Sequence, residues 1–187
     1  MYPEVGPVAY HPPVLRSIAL ALALVGTAAC VSAAEGALDV PLGLPRDQVP
    51  AAVRRYDFCV AEQGSRAEQT FPRCKRPGID YLDAWIVAGF DGGRLMRLSR
   101  WERWDDDTRA VDRWNALIAA RTKMTGPASD EAKTAVLAQH ELPPGTRAWQ
   151  AFRASDHVLA AIYLLTPIAP ANASVLEELV GAPLPAH

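Results

Sequence analysis

The residue types of a hydrolytic triad stand side by side at Ser155, Asp156 and His157. Neighbours in an extended strand point to opposite faces, whereas the histidine of a triad must reach both of its partners. These three residues therefore predict a turn rather than a nucleophilic site. His140, beside Glu141, has no nucleophile near it in sequence, and we interpret it as a solvated residue at a helix end.

A run of acids, Asp105, Asp106 and Asp107, could in principle bind a cation. Calcium loops, however, place their ligands at alternate positions with a glycine at the sixth, and that spacing does not occur here. Acids before a helix interact favourably with its positive end, so the run predicts a helix start.

The sequence contains no nucleophile elbow, phosphate loop, zinc-protease helix or dinucleotide fingerprint. We therefore expect a non-catalytic protein with no metal and no cofactor. The alternative is a periplasmic enzyme with a hydrolase-type pocket that forms only in the tertiary structure.

Cys59 and Cys74 are the two cysteines downstream of an apolar leader. In an oxidising compartment they predict a disulfide, which would stabilise the fold by about 3 kcal/mol by closing a loop in the unfolded chain. Two buried free thiols or half of a metal site are the alternatives. Zinc ligands normally come in closely spaced pairs with further Cys or His nearby, and neither condition holds here.

The leader covers residues 1 to 34 and predicts a secretory signal peptide. An apolar run at residues 18 to 25 follows Arg16 and precedes small residues. The run is too short to span a bilayer, which takes about 20 apolar residues. Because the first 13 residues lack Lys and Arg, translation is expected to begin at Val14 or Leu15.

Two cleavage sites compete in this leader. Ser32, Ala33 and Ala34 before Glu35 provide the small-x-small pattern of an ordinary signal peptidase. The sequence TAAC, ending at Cys30, instead resembles the lipobox of bacterial lipoproteins, whose cysteine is acylated. An uncleaved anchor is the third alternative. The protein is thus expected in the periplasm or secreted, or else at a membrane as a lipoprotein.

The remaining residues, 35 to 187, are of the size of one domain with its own core. Half of the 187-residue chain is hydrophobic, all five tryptophans lie beyond the leader, and the net charge is −2. A balanced charge gives no footprint for nucleic acid, which needs a basic patch to neutralise phosphates.

The first half of the domain predicts a helix and a hairpin. Apolar residues at helical spacing follow Asp47, and residues 61 to 78 are interpreted as a loop tied by the disulfide. Residues 81 to 90 are β-branched and aromatic, and Asp91-Gly92-Gly93 predicts a tight turn into a second strand.

The second half predicts a long helix within residues 105 to 127 that Gly126-Pro127 would stop, a short helix over 129 to 139, a hairpin over 147 to 167 and a last helix over 174 to 180. The fold class is therefore α+β, an antiparallel sheet of about four strands in two hairpins with helices packed on one face. The Ala-Trp…Phe…Asp pattern of both hairpins suggests a tandem αββ repeat.

Residues 42 to 49, LGLPRDQV, resemble the Gly-x-x-x-x-x-Val start of the first helix in exported tandem αββ proteins. These include the β-lactamase-inhibitor-protein fold and small lipoproteins that assist outer-membrane assembly. The resemblance covers the architecture of residues 42 to 166 and implies binding rather than catalysis. It transfers no functional residue.

The first candidate partner surface is the loop that the disulfide would constrain. It carries basic side chains around one aromatic residue: Arg66, Phe71, Arg73, Lys75 and Arg76. A constrained loop loses less entropy on binding than a free one. The alternative is a solvated loop with no partner.

The second candidate surface is RLSRWERW, at the end of the first hairpin. Trp101 and Trp104 should lie on opposite faces of the strand, one in the core and one near the surface among Arg97, Arg100 and Arg103. Tryptophan and arginine are enriched at binding hot spots, and they also pack together within folds. An envelope protein is the expected partner.

Overall fold

A computed structural model of the chain describes residues 36–59, 64–74, 83–166 and 173–181. The leader, the candidate lipidation site Cys30, and the basic residues Lys75 and Arg76 lie outside the described residues. No described helix is long and apolar enough to cross a membrane.

The described chain forms three α-helices and six strands. The helices are α1 (Val49–Arg54), which follows a 3-10 turn at Arg46–Gln48, α2 (Asp107–Thr125) and α3 (Asp130–Leu137). The strands are β1 (Glu68–Pro72), β2 (Ala84–Asp91), β3 (Arg94–Trp104), β4 (Thr146–Ser155), β5 (Val158–Leu165) and β6 (Ala173–Gly181).

All six strands form one antiparallel sheet in the order β1-β2-β3-β6-β5-β4. The α+β class is confirmed, but the sheet has two strands more than expected. Two three-stranded meanders meet where β3 pairs with β6. The first hairpin therefore occupies β2 and β3, and the second occupies β4 and β5 with β4 at the edge.

The two additional strands replace a predicted loop and a predicted helix. Within the segment interpreted as a loop, β1 pairs with β2. At residues 174 to 180 the helix prediction was wrong, because β6 is a central strand buried on both faces. Around Glu177 and Glu178 the apolar residues of this segment recur at helical spacing rather than at alternate positions, so the local pattern predicts a helix.

Both predicted hairpins are confirmed. The first turns at Gly92 and Gly93, whose φ angles of 54° and 76° favour glycine. The second turns at Asp156 and His157, between β4 and β5.

The predicted starts of α2 and α3 and the predicted end of α2 agree with the structure. Asp106 caps α2 by accepting a hydrogen bond from the Arg109 N–H, and Ser129 caps α3 by accepting one from the Ala132 N–H. Gly126, with a φ of 86°, ends α2.

The helices lie on both faces of the sheet, not on one as expected. On one face, α1 and α2 bury residues such as Val53 and Leu117 in one core cluster that also contains even-numbered residues of β5, including Ile162. On the other face, α3 buries Ala132 and Val136 against odd-numbered residues of β5. Since alternate residues of a strand point to opposite faces, α2 and α3 lie on opposite sides of the sheet.

Candidate functional site

Within the described residues, the face that carries α3 is only partly covered. Among the described helices, α3 packs on this face, where it contacts β4 and β5. Over β1 to β3 the same face presents mainly half-buried or exposed residues, with Ser99 buried among them, and we call this surface the open face. Its residues are Thr70, Trp85, Val87, Gly89, Arg97 and Trp101.

Two stacked tryptophans form the centre of the open face. Trp85 and Trp101 are direct cross-strand partners, with ring centroids 6.0 Å apart and planes 7° from parallel. The sheet register continues this row into Leu176, Tyr163 and Trp149. Cross-strand aromatic pairs stabilise a sheet and hold one another in fixed orientations. The half-buried pair is thus a rigid apolar surface.

The predicted hot-spot strand divides between the two faces of the sheet. Trp101 belongs to the open face, whereas Trp104 packs into the core beneath α2 with Arg109 over its ring, so the expectation of opposite faces is confirmed. Arg103, whose partner is Asp83, is partly exposed. Arg100 was expected near the surface, and that expectation is wrong because its side chain is 1% exposed within the core.

The positive charge of the open face is already matched. The Arg97 guanidinium lies 2.7 Å from the buried Glu178 carboxylate, and its Nε donates to the Ser99 hydroxyl. That hydroxyl in turn donates to Glu178 at 3.0 Å. The open face thus presents apolar tryptophan surface beside a neutralised arginine, a surface that suits apolar rather than acidic groups.

An acid–histidine pair lies where the chain following α3 reaches β6. His140 Nε2 is 3.4 Å from Glu178 Oε2, and burial, together with the nearby Glu178 charge, raises the pKa of Tyr163. In a hydrolytic triad the histidine lies between the nucleophile and the acid. Here Glu178 lies between Ser99 and His140, so the arrangement is not a triad.

The opposite face buries a network of charges beneath α2. Glu177 is fully buried, and its carboxylate accepts hydrogen bonds from Arg100 at 2.5 Å and from Arg121 at 2.9 Å. The same carboxylate accepts the Leu38 N–H, and Arg121 donates to the Leu38 carbonyl. The network thus fixes the chain that follows the predicted leader.

A second buried carboxylate completes this network. Glu102 accepts two hydrogen bonds from Arg113 and lies 3.5 Å from Arg100. Burial alone would raise the pKa of Glu102, but the charge of Arg100 and the hydrogen bonds and charge of Arg113 outweigh burial and lower it. Burial in turn lowers the pKa of Arg100, against the opposing charge of Glu177.

The predicted basic loop does not form as expected. Phe71 belongs to β1 and is completely buried in the core, so it is not an exposed aromatic. Arg73 lies over the Phe58 ring at 6.0 Å. The predicted disulfide between Cys59 and Cys74 is confirmed. The disulfide lies just beyond the end of β1, beside the core residues Phe58 and Phe71.

The acid run has the structural role that its position predicted. Asp106 caps α2, Asp105 pairs with Arg109 and Asp107 pairs with Arg147. Among the residues that the structure describes, no group of three or more His, Cys, Asp or Glu side chains could hold a metal ion.

Sequence reasoning missed Trp85 and Val87, although strand alternation separates them from Ile86. Pairing across the glycine turn then places Trp85 opposite Trp101, which would have identified the open face. Glu177 was hidden by the helix interpretation of β6.

No protein-family model matches the chain, and no similar curated protein or solved structure was found.

Proposed function

We propose that this protein is an exported bacterial envelope protein, a non-catalytic binding or assembly accessory whose partner binds the open face. The observation that carries the proposal is the stacked pair Trp85 and Trp101, half-buried on a sheet surface that the described helices leave uncovered. Large aromatic side chains on the surface are costly to leave in water and dominate the energy of many interfaces.

The partner is expected to be another envelope protein that presents apolar side chains. Val87 and Gly89 lie beside the tryptophans, and Arg97 is neutralised by Glu178. A rigid strand surface also needs little ordering on binding, which lowers the entropic cost of association. The resemblance to tandem αββ binding proteins leads to the same expectation.

Export is supported by the Cys59–Cys74 disulfide, because such bonds persist in oxidising compartments. Intact-mass measurement of the protein recovered from a bacterial host tests it. A chain starting near Glu35 identifies a soluble exported protein, and one starting at Cys30 with acyl chains identifies a lipoprotein. An uncut chain with three free thiols would overturn export.

The alternative function, a periplasmic enzyme, has less support. The pair of His140 and Glu178 is the observation in its favour. Glu178 is 1% exposed, and its carboxylate contacts Arg97 and Ser99. A substrate therefore has no room between Ser99 as a nucleophile and His140 as a base.

Site-specific photo-crosslinking tests the binding surface in living cells. A crosslinking amino acid at Thr70 or Val87 should give one adduct of defined mass, and the same probe at Asn115, exposed on α2, should give none. The same adduct from the open face and from Asn115 would contradict the proposal, and so would the absence of an adduct at all three positions.

Titration of the purified partner then tests the tryptophans. Trp85→Ala should weaken binding at least tenfold, the scale of one hot-spot residue, while Asn115→Ala leaves it unchanged. Equal affinity for both variants would exclude the open face. Urea unfolding curves of both variants that match the curve of the parent protein would show that neither variant changes binding through misfolding.

A further inference from the structure

The residues that directly follow the predicted leader lie inside the fold. Ala37 and Val40 are buried, and Leu38 is completely inaccessible to solvent. Leu38 and Val40 belong to the same core cluster as Leu117 of α2. The chain therefore enters the core directly after Glu35 and Gly36.

Buried charged side chains hold the backbone at this entry. The Gly36 carbonyl accepts a hydrogen bond from Arg100 Nη1 at 3.0 Å. The Leu38 N–H donates to Glu177 at 3.0 Å, and the Leu38 carbonyl accepts from Arg121 at 2.5 Å. Hydrogen bonds to charged groups are stronger than those between neutral groups, so these contacts fix the backbone firmly.

The residues that follow α1 hold the next position of the chain. The Asp39 N–H donates to the Tyr56 hydroxyl at 2.6 Å, and the Asp39 carbonyl accepts from Arg55 at 2.9 Å. We call residues 36 to 39 the anchored segment. Withdrawing it from the fold would separate five backbone groups from their partners at once.

Ordinary cleavage of the leader hydrolyses the peptide bond between Ala34 and Glu35, and the anchored segment begins one residue beyond Glu35. A protease acts on exposed chain, and it reaches a folded region only when that region opens. A peptidase can therefore act on this bond in the folded protein only after Gly36 and Ala37 leave their places. The lipoprotein cut before Cys30 lies six residues before Gly36, so it is free of this restraint.

We propose that the bond between Ala34 and Glu35 is a processing site only in the unfolded chain, so that leader removal precedes burial of the anchored segment. Water adds across the peptide bond, which leaves a carboxylate on Ala34 and an amino group on Glu35. This order rests on the proposed export and on the ordinary cleavage site, and it adds the sequence in which cleavage and folding occur.

Cleavage of the full-length precursor by bacterial signal peptidase in detergent micelles tests this order. The precursor is supplied either folded or unfolded in urea and diluted into the enzyme, and mass spectrometry follows the appearance of Glu35 as the first residue. The unfolded precursor should be cut at least about 100-fold faster, the scale of two hydrogen bonds to charged groups. A peptide covering residues 14 to 40, added to both reactions, corrects for the effect of urea on the enzyme.

Two variants of the folded precursor test the role of the anchored segment. A flexible linker of about six residues inserted between Glu35 and Gly36 moves the bond away from the fold and should bring the rate close to that of the unfolded chain. Glu177→Gln weakens the hold on Leu38 and should speed cleavage at least about tenfold. Glu178→Gln is the matched control, and it should change the rate by less than about fivefold.

Urea unfolding curves of each precursor are recorded first, so that rates are compared between folded chains. If the parent precursor folds only after leader removal while the linker variant folds with its leader, the proposed order is supported. If neither precursor folds, the leader itself blocks folding, and the role of the anchored segment is excluded.

The remaining outcomes separate this order from the proposed export. Equal rates for the folded and unfolded parent precursor would refute the order and leave export intact. An unfolded precursor that is not cut after Ala34 would refute the cleavage site itself, and the order with it. A folded linker variant that is cut as slowly as the parent would exclude the anchored segment as the cause.

Discussion

Neutralising Glu177 tests how the buried charges contribute to stability. Glu177→Gln keeps the size of the side chain but leaves Arg100 and Arg121 without the carboxylate that both contact. Removing one partner of a buried ion pair costs about 3–5 kcal/mol, because the remaining charge stays buried and unpaired. The free energy of unfolding of a domain is typically about 5–15 kcal/mol, so this variant should lose a large part of its stability.

Glu178→Gln is the matched control, since it is the same chemical change one residue along the strand. Glu178 is as buried as Glu177, but its partner Arg97 is 55% exposed and can be hydrated when unpaired. The expected loss is about 1 kcal/mol. Urea unfolding followed by tryptophan fluorescence measures both values. A loss for Glu177→Gln no larger than that for Glu178→Gln would refute the reasoning.

A third variant separates the cost of an unpaired buried charge from the loss of the hydrogen bonds to the Leu38 backbone. Replacing Arg100, Glu177 and Arg121 together by Met, Leu and Met removes these three buried charges and leaves Glu102 paired with Arg113. Apolar replacements of buried ion pairs are often neutral or stabilising, so this variant should recover most of the stability lost in Glu177→Gln. Failure to recover it would assign the loss to the Leu38 backbone contacts instead.

Three further measurements test other parts of the fold. Reduction of the bond between Cys59 and Cys74 should lower the free energy of unfolding by about 3 kcal/mol, and no change on reduction would contradict its stabilising role. The lowered pKa of Glu102 means that its stabilisation is present above the ordinary carboxyl pKa of 4.5 and is lost as the pH falls through the folded value. Stability should therefore fall below about pH 4.5, more steeply than in Glu102→Gln, and equal slopes would refute this. Asp106→Ala, which removes the cap of α2, should cost about 1 kcal/mol, and Asp105→Ala, at an exposed site, should cost less than half of that.

Local signals were enough to predict the turns and the helix ends. Gly92 and Gly93 adopt positive φ angles that few other residues tolerate, and Asp106 and Ser129 have side chains that cap the next turn. These features depend on residues that are neighbours in sequence, so the sequence alone predicts them.

Features that depend on distant partners could not be predicted in the same way. Phe71 stands in a polar segment, and only pairing with Ile86 in β2 places it in the core. Val175 and Leu179 have helical spacing, yet β3 and β5 flank them on both sides and make the segment a central strand. The exposure of Trp85 likewise depends on the position of α3 on the sheet, and no local sequence pattern predicts that position.

The register of the central strands connects the two faces of the sheet. Opposite Arg100 lies Glu177, and opposite Trp101 lies Leu176, so the buried network and the tryptophan row share one alignment. A slip of one residue would move every side chain of β6 to the other face and leave Arg100 without its carboxylate. We therefore expect the buried charges to specify register more than to add stability. The triple variant, which lacks the charges of Arg100, Glu177 and Arg121, should then remain stable but show a second set of amide resonances from a slipped β6. A single set identical in pattern to the parent protein would show that apolar packing alone fixes the register.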